Sequence, residues 1–430
     1  MNQFNYQEAF GAEDRTTDAM QKAIGEWYDL YYGRNCPQGH DPGQRVAYTI
    51  VSKLVKTMFG EYQTQTQGVF AHGVVAALNE KSREAMHQTL VGGECYLKPW
   101  VGEQVTFGVI PRCNALIFGR NGRGEPVDMG IWERSSRGKY QYTLLERRYL
   151  DEAGHTVIEN RLFRSANDRN LGQEVPLSQL PDYAALPKRY VYPVGLANLG
   201  LVRIKTPGIN CVDGSWDGVS VYAAAVDLIR AIDENEAQLM EEFRRGESRI
   251  IASADMLRDG LQDHVFVGLD DDPQNVGIHI FSPQLRETSY LHRKQEYLRN
   301  VESVIGLKRG MLSDANEAQK TATEIASSAG DFNLTVMEYQ RIWEKALADG
   351  VQLCIQLAKV QGMDTEQPEI PAVDWGNGVL YDEDKTWADY MNMVSTGLVK
   401  PEIALAWRFG MQAETEEDLA AIRQKFMPEL

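Results

Sequence analysis

Between residues 219 and 305 two long helical periodicities flank an insert of strand-like pieces, and a polar stretch then leads into a third, still longer helical pattern. In the first, Val221, Ala225, Leu228, Ile229, Ile232, Leu239, Met240 and Phe243 form one stripe opposite Asp227, Asp233, Glu234, Glu241 and Glu242. A helix over residues 219–245 would run about 40 Å, well beyond an average one. The insert, residues 248–283, carries Arg249-Ile-Ile-Ala, His264-Val-Phe-Val and Gly277-Ile-His-Ile-Phe, and is too short to be an independent domain. Residues 287–305 turn helical again, with Leu291, Leu298, Val301 and Ile305 on one side. Two helices that leave and return to one body make a stalk with a knob at its tip. Holding a substrate does not require that shape, whereas an assembly component can use it.

After Gly306, residues 307–320 hold Gly, Ser, Asp and Asn with no sustained apolar face, which predicts a loop. From Thr323 a stripe through Phe332, Val336, Tyr339, Trp343, Leu347, Val351, Ile355 and Ala358 extends nearly to Gly362. Gly330 and Gly350 inside it are expected to mark bends. Upstream, Ala19, Ile24, Trp27, Tyr28 and Tyr31 recur at helical spacing, as do Val46, Ile50, Leu54, Val55, Met58 and Phe59, and a third helix is predicted over residues 74–90. Residues 92–205 read as a mostly antiparallel sheet: Cys95-Tyr-Leu-Lys-Pro-Trp, Val105-Thr-Phe-Gly-Val-Ile, Tyr140-Gln-Tyr-Thr-Leu-Leu and Thr156-Val-Ile-Glu-Asn-Arg-Leu-Phe, with turns at Gly119-Arg-Asn-Gly-Arg-Gly and Asp151-Glu-Ala-Gly. The tail adds short helices at residues 384–396 and 400–408, then an acidic end.

Charge narrows the function classes. The net −17 argues against wrapping a nucleic acid tightly, because such binding draws on lysines and arginines that displace counterions from phosphates. More than half of that charge belongs to residues 363–430, with 14 acids against 5 bases, whereas residues 134–205 hold 12 bases against 7 acids and are expected to form a solvated or subunit-facing surface. A chain of 430 residues suits two or three domains, and its start shows no secretion signal and no apolar run long enough for a membrane span. Cys36, Cys95, Cys113, Cys211 and Cys354 are odd in number and scattered, which favours reduced thiols over a disulfide framework or a thiolate metal site. Cys36 and His40 read as loop residues, and Asp270-Asp-Asp as an exposed acidic turn before Pro273. Phosphate-binding glycine loops, His-Glu-x-x-His and Gly-x-Ser-x-Gly are absent, so no catalytic residue, cofactor or metal is expected.

Thr321-Ala322-Thr323-Glu324-Ile325 stands at the head of the longest helix. With Val91-Gly-Gly-Glu-Cys-Tyr-Leu-Lys-Pro, Gly214-Ser-Trp-Asp-Gly-Val-Ser-Val-Tyr ahead of Leu228-Ile-Arg-Ala-Ile-Asp, and Gly397-Leu-Val-Lys-Pro-Glu, it gives an order that resembles the portal proteins of tailed double-stranded-DNA bacteriophages. The likeness is to the branch with a Thr-Ala-Thr-Glu-like motif, and it covers roughly residues 20–420. The resemblance implies an α+β portal fold. Its parts would be a wing of helices and sheet over residues 1–216, stem helices over 217–247 and 284–306, and a clip over 248–283. A tunnel loop over 307–322, a long wing helix over 323–362, and a C-terminal wing with a small crown over 363–430 would complete it.

What the resemblance implies for function is a ring, usually of twelve copies, at one capsid vertex of the virion, made in the bacterial host cytoplasm. Double-stranded DNA would pass through it, and its partners would be the terminase large subunit, a head–tail adaptor, the major capsid protein and scaffold, with no membrane and no enzymatic activity. Lys308, Arg309, Ser313, Asn316 and Lys320 would face DNA from the tunnel loop, and Thr321, Ala322, Thr323 and Glu324 form the family motif. Arg230, Arg244, Arg245, Arg293, Lys294 and Arg299 are expected to pair with neighbouring acids. The rival readings are another structural head or connector protein of the minor capsid type, and a hydrolase with a carboxylate pair.

Overall fold

Helix α1 (Tyr6–Phe10) precedes the N-terminal periodicities, which fold as helices α2 (Asp18–Tyr32) and α3 (Val46–Met58), and strand β1 (Gln63–Gln65) and helix α4 (Val69–Gly92) follow. These come from a computed structural model that describes residues 6–34, 44–102, 104–167, 169–246, 249–253, 266–269, 279–281, 284–314, 322–363, 365, 370–376, 383–411, 413 and 415–427. Thr17 caps α2, its hydroxyl accepting from the Met20 amide, and Gly33 closes the helix in the left-handed region. Ile24, Trp27 and Tyr28 are buried, as their spacing predicts. Helix α4 begins five residues before the predicted start, with Val69 of its first turn exposed and Ala71 buried.

The sheet region holds β2 (Glu94–Trp100), β3 (Thr106–Pro111), β4 (Ala115–Arg120), β5 (Pro126–Arg137), β6 (Tyr140–Leu150), β7 (Thr156–Ser165), β8 (Gln173–Val175), β9 (Arg189–Val191) and β10 (Val202–Lys205). Strands β4 to β8 pair in sequence order, β9 also pairs with β7, and β10, β2 and β3 make a second sheet in that order. Every one of these pairings is antiparallel. One core packs Tyr96, Ile117, Met129, Ile131 and Leu201 together, and another gathers Tyr142, Leu144, Leu162 and Leu180. Strand β5, twelve residues long, is not evident in the sequence. Met129, Gly130 and Ile131 are buried consecutively, so the alternation that betrays a half-buried strand is missing. The basic surplus is also not a bare surface. Arg147 pairs with Asp128 at 2.7 Å and Arg161 with Glu174 at 2.6 Å, while Arg148 and Arg203 lie inside.

Helix α5 (Val226–Arg245), strands β11 (Arg249–Ser253), β12 (Phe266–Leu269) and β13 (His279–Phe281), and helix α6 (Glu287–Ile305) follow. The three strands form one sheet with β11 in the middle, parallel to β12 and antiparallel to β13. Helix α5 starts seven residues after the predicted position 219, and its 20 residues span about 30 Å rather than 40. Residues 219–222 are committed elsewhere: the Val221 amide and the Ser220 hydroxyl both donate to the Leu90 carbonyl at the end of α4.

Helix α7 (Ala322–Val360) runs unbroken for 39 residues through both Gly330 and Gly350. All eight residues of its predicted stripe, Phe332 to Ala358, are buried. Gly350 is a point of close approach, since a Cβ there would lie 2.8 Å from Leu78 Cδ1 of α4. The chain ends with β14 (Ala372–Asp374), antiparallel to β1, and helices α8 (Glu383–Ser395), α9 (Pro401–Phe409) and α10 (Glu416–Phe426). The acidic end therefore folds as a helix, started by a capping box between Thr415 and Asp418. The chain divides into two units: Met1–Val55 with Thr66–Pro371, and Lys56–Gln65 with Ala372–Leu430. No described helix is long and apolar enough to cross a membrane.

Candidate functional site

Helices α5 and α6 pack as an antiparallel hairpin whose register is set by polar side chains. Glu242 pairs with Arg286 at 2.6 Å and Glu236 with Lys294 at 3.0 Å. Between them Asn235, buried, donates to the Tyr290 carbonyl at 3.1 Å and accepts from Arg293 Nε at 2.6 Å. Arg293 also donates to Gln238 at 2.7 Å, so it bonds to two amides rather than to the acids expected of it. Arg230 pairs with Glu26 and Asp227, Arg244 and Arg245 share Glu241, and Arg299 pairs with Glu296. Toward the inserted sheet the apolar stripe emerges into solvent, with Met240, Phe243, Leu285 and Leu291 all exposed.

Gly306 ends α6 in the left-handed region, its amide donating to the Glu302 carbonyl. Lys308 and Arg309 follow, exposed and adjacent, in a turn closed by the Met311 amide on the Lys308 carbonyl at 3.1 Å. Among the described residues neither has an ion-pair partner. Ser313 does not share their position. It is buried, and its amide and hydroxyl donate to the Glu302 carboxylate at 2.9 and 2.8 Å. Ser313, expected to face DNA, turns inward in the single chain, because a carboxylate buried in the last turn of α6 draws its donors to it. Asn316, Lys320 and Thr321 lie outside the described residues, as do Cys36, His40 and Asp270 to Asp272. Ala322, Thr323 and Glu324 are the first residues of α7.

The second and third quoted motifs meet in space. Gly93, at φ +81, abuts Gly218, and the Gly93 carbonyl accepts from the Thr206 amide and hydroxyl. Beside this contact Glu94, fully buried, pairs with Arg203 at 2.5 Å and Arg112 at 3.0 Å, and Arg112 reaches Asp217 at 2.9 Å. Burial alone would raise the Glu94 carboxyl, but Arg203, Arg112 and Arg120 overcome that and hold it down at about 2. A second buried group joins Glu146 to Arg148 at 2.6 Å and Lys98 at 2.8 Å. Here too burial is outweighed, by Arg148 and Lys98, and the carboxyl sits at about 2. Both clusters escape sequence reading, since their members lie on separate strands and turns. A charged residue in a run of β-formers, such as Glu94 or Lys98, is the available signal.

Cys95 and Cys354 are buried, which pushes their thiols up to about 12, and no group of metal-binding side chains gathers among the described residues. The family model described as "Phage portal protein, SPP1 Gp6-like" matches residues 77–425, from within α4 to within α10. The chain belongs to the SPP1 Gp6-like family of phage portal proteins. No curated protein matches it. The match to the portal family takes in the hairpin with its inserted sheet, the Lys308–Arg309 turn and α7. A portal protein is a structural component of the virion rather than an enzyme, one that acts as an oligomeric ring with capsid and packaging partners.

Proposed function

We propose that twelve copies close into a ring at one capsid vertex, through which double-stranded DNA is packaged by the terminase large subunit and later ejected past a head–tail adaptor. Head-to-tail association that closes on itself lets one chain offer two different faces to its neighbours. In this reading α5 and α6 are the stem, the sheet of β11, β12 and β13 is the clip that meets motor and adaptor, and the α7 helix belongs to the wing. The same reading takes the Thr321–Glu324 motif as the mark of the corresponding branch and the short tail as a small crown.

The observation that carries the proposal is the portal-family match across the hairpin, at whose inner end Lys308 and Arg309 stand exposed without ion-pair partners among the described residues. The exposed Met240, Phe243 and Leu291 suit burial against a second copy's hairpin. With a net −17 per copy, acidic walls would repel the duplex within a screening distance of about 8 Å, leaving the turn to touch phosphates weakly. Replacing Lys308 and Arg309 together with Ala is expected to lower the DNA content of assembled particles while rings still form. Unchanged DNA content would contradict the role given to the turn.

A further inference from the structure

Glu302 has zero exposure, and among the described residues no cation pairs with it. Its charge is met by donors from the chain just beyond α6: the amides of Gly310 at 3.1 Å, Leu312 at 2.5 Å and Ser313 at 2.9 Å, with the Ser313 hydroxyl at 2.8 Å. A carboxylate accepting from three nearby amides forms charge-assisted bonds stronger than neutral ones, and leaving it without them inside the protein would be costly. Two further contacts hold the same segment. Lys53 of α3 donates to the Met311 carbonyl, and the Asp314 amide donates to Gln295 Oε1 of α6 at 2.8 Å. The exposed pair Lys308 and Arg309 thus sits between a fixed helix end and a run of amides gathered on one buried carboxylate.

We propose that Glu302 is a positioning residue, a latch that sets the pose of the Lys308–Arg309 turn. The idea deepens the functional reading, and rests on it only for the consequence that the turn meets DNA. The latch itself is a property of the single chain. With the carboxylate in place the backbone of residues 310–313 is not free to extend. Without it the donors lose their common acceptor and the turn detaches, while both cations remain.

Trypsin reads this directly, because Lys308 and Arg309 are its own cleavage sites and a bond is cut only when its flanking residues can extend. In the purified full chain, Glu302→Gln and Glu302→Ala are expected to raise cleavage after Lys308 or Arg309 by about tenfold or more, and Ser313→Ala by less, since it removes one donor of four. Cleavage after the exposed Lys188 serves as the internal reference and is expected to stay unchanged. Equal rates at the turn in wild type and variants, or a parallel rise at Lys188 that marks general loosening, would overturn the latch. Should Glu302→Ala fail to fold, Ser313→Ala still decides the question. Packaging assays separate the two ideas: no packaging defect on replacing Lys308 and Arg309 sinks the DNA reading of the turn, whereas the cleavage result stands on its own.

Discussion

Gly93 and Gly218 meet backbone to backbone: a Cβ on Gly93 would lie 2.2 Å from the Gly218 carbonyl carbon, and one on Gly218 would lie 2.2 Å from the Gly93 carbonyl oxygen. This contact brings the entry to β2 against the segment that leads into α5, and so couples the sheet to the root of the hairpin.

Each Cβ would meet backbone rather than a flexible side chain, so Gly218→Ala and Gly93→Ala should each destabilise the fold by about 1–3 kcal/mol, with Gly93→Ala adding strain at its positive φ. Gly350→Ala makes the control. The atom it would meet is the tip of the Leu78 side chain, and alanine favours a helix over glycine by about 1 kcal/mol, so its stability should stay within about 1 kcal/mol of wild type. Urea unfolding of the three variants checks the contrast, and equal losses would contradict it.

Arg112 is the shared partner of Glu94 and Asp217. Arg112→Met should therefore cost about 3–5 kcal/mol, mostly by leaving buried carboxylates less well compensated. Adding Glu94→Gln should recover part of that loss. A double variant whose loss is the simple sum of the single ones would show that the two residues do not interact.

Glu94 and Glu146 both titrate in the folded chain at about 2, below their ordinary 4.5. Between those values the unfolded chain binds more protons than the folded one. The stability these carboxylates contribute is thus fully present above about pH 4.5 and is lost as pH falls toward 2. Denaturation midpoints measured from pH 6 to 2 should fall steeply in wild type and less steeply in Glu146→Gln. Identical slopes would mean that the buried pairs do not set acid stability.

The sequence made the helices legible wherever one face is apolar and buried along its length. The α7 stripe from Phe332 to Ala358 lies wholly inside, and each of the three strand pieces of the insert overlaps a strand in its described residues. It misled where burial is not written as a pattern. Residues 219–222 carry helix-compatible side chains, yet bond to Leu90, and β5 buries three residues in a row. At the candidate site, exposed Lys308 and Arg309 were readable as cations in a polar stretch. The role of Ser313 was not, because it depends on Glu302, an acid that looks like any other solvent-facing residue of an amphipathic helix until α6 is folded.

The central claim is that copies of this portal protein close into a ring around an open axis. Negative-stain electron microscopy of the purified chain tests it most directly. The account predicts ring-shaped end views with a central hole and side views that show a stalk. Compact single chains, or oligomers with a filled centre, would contradict it.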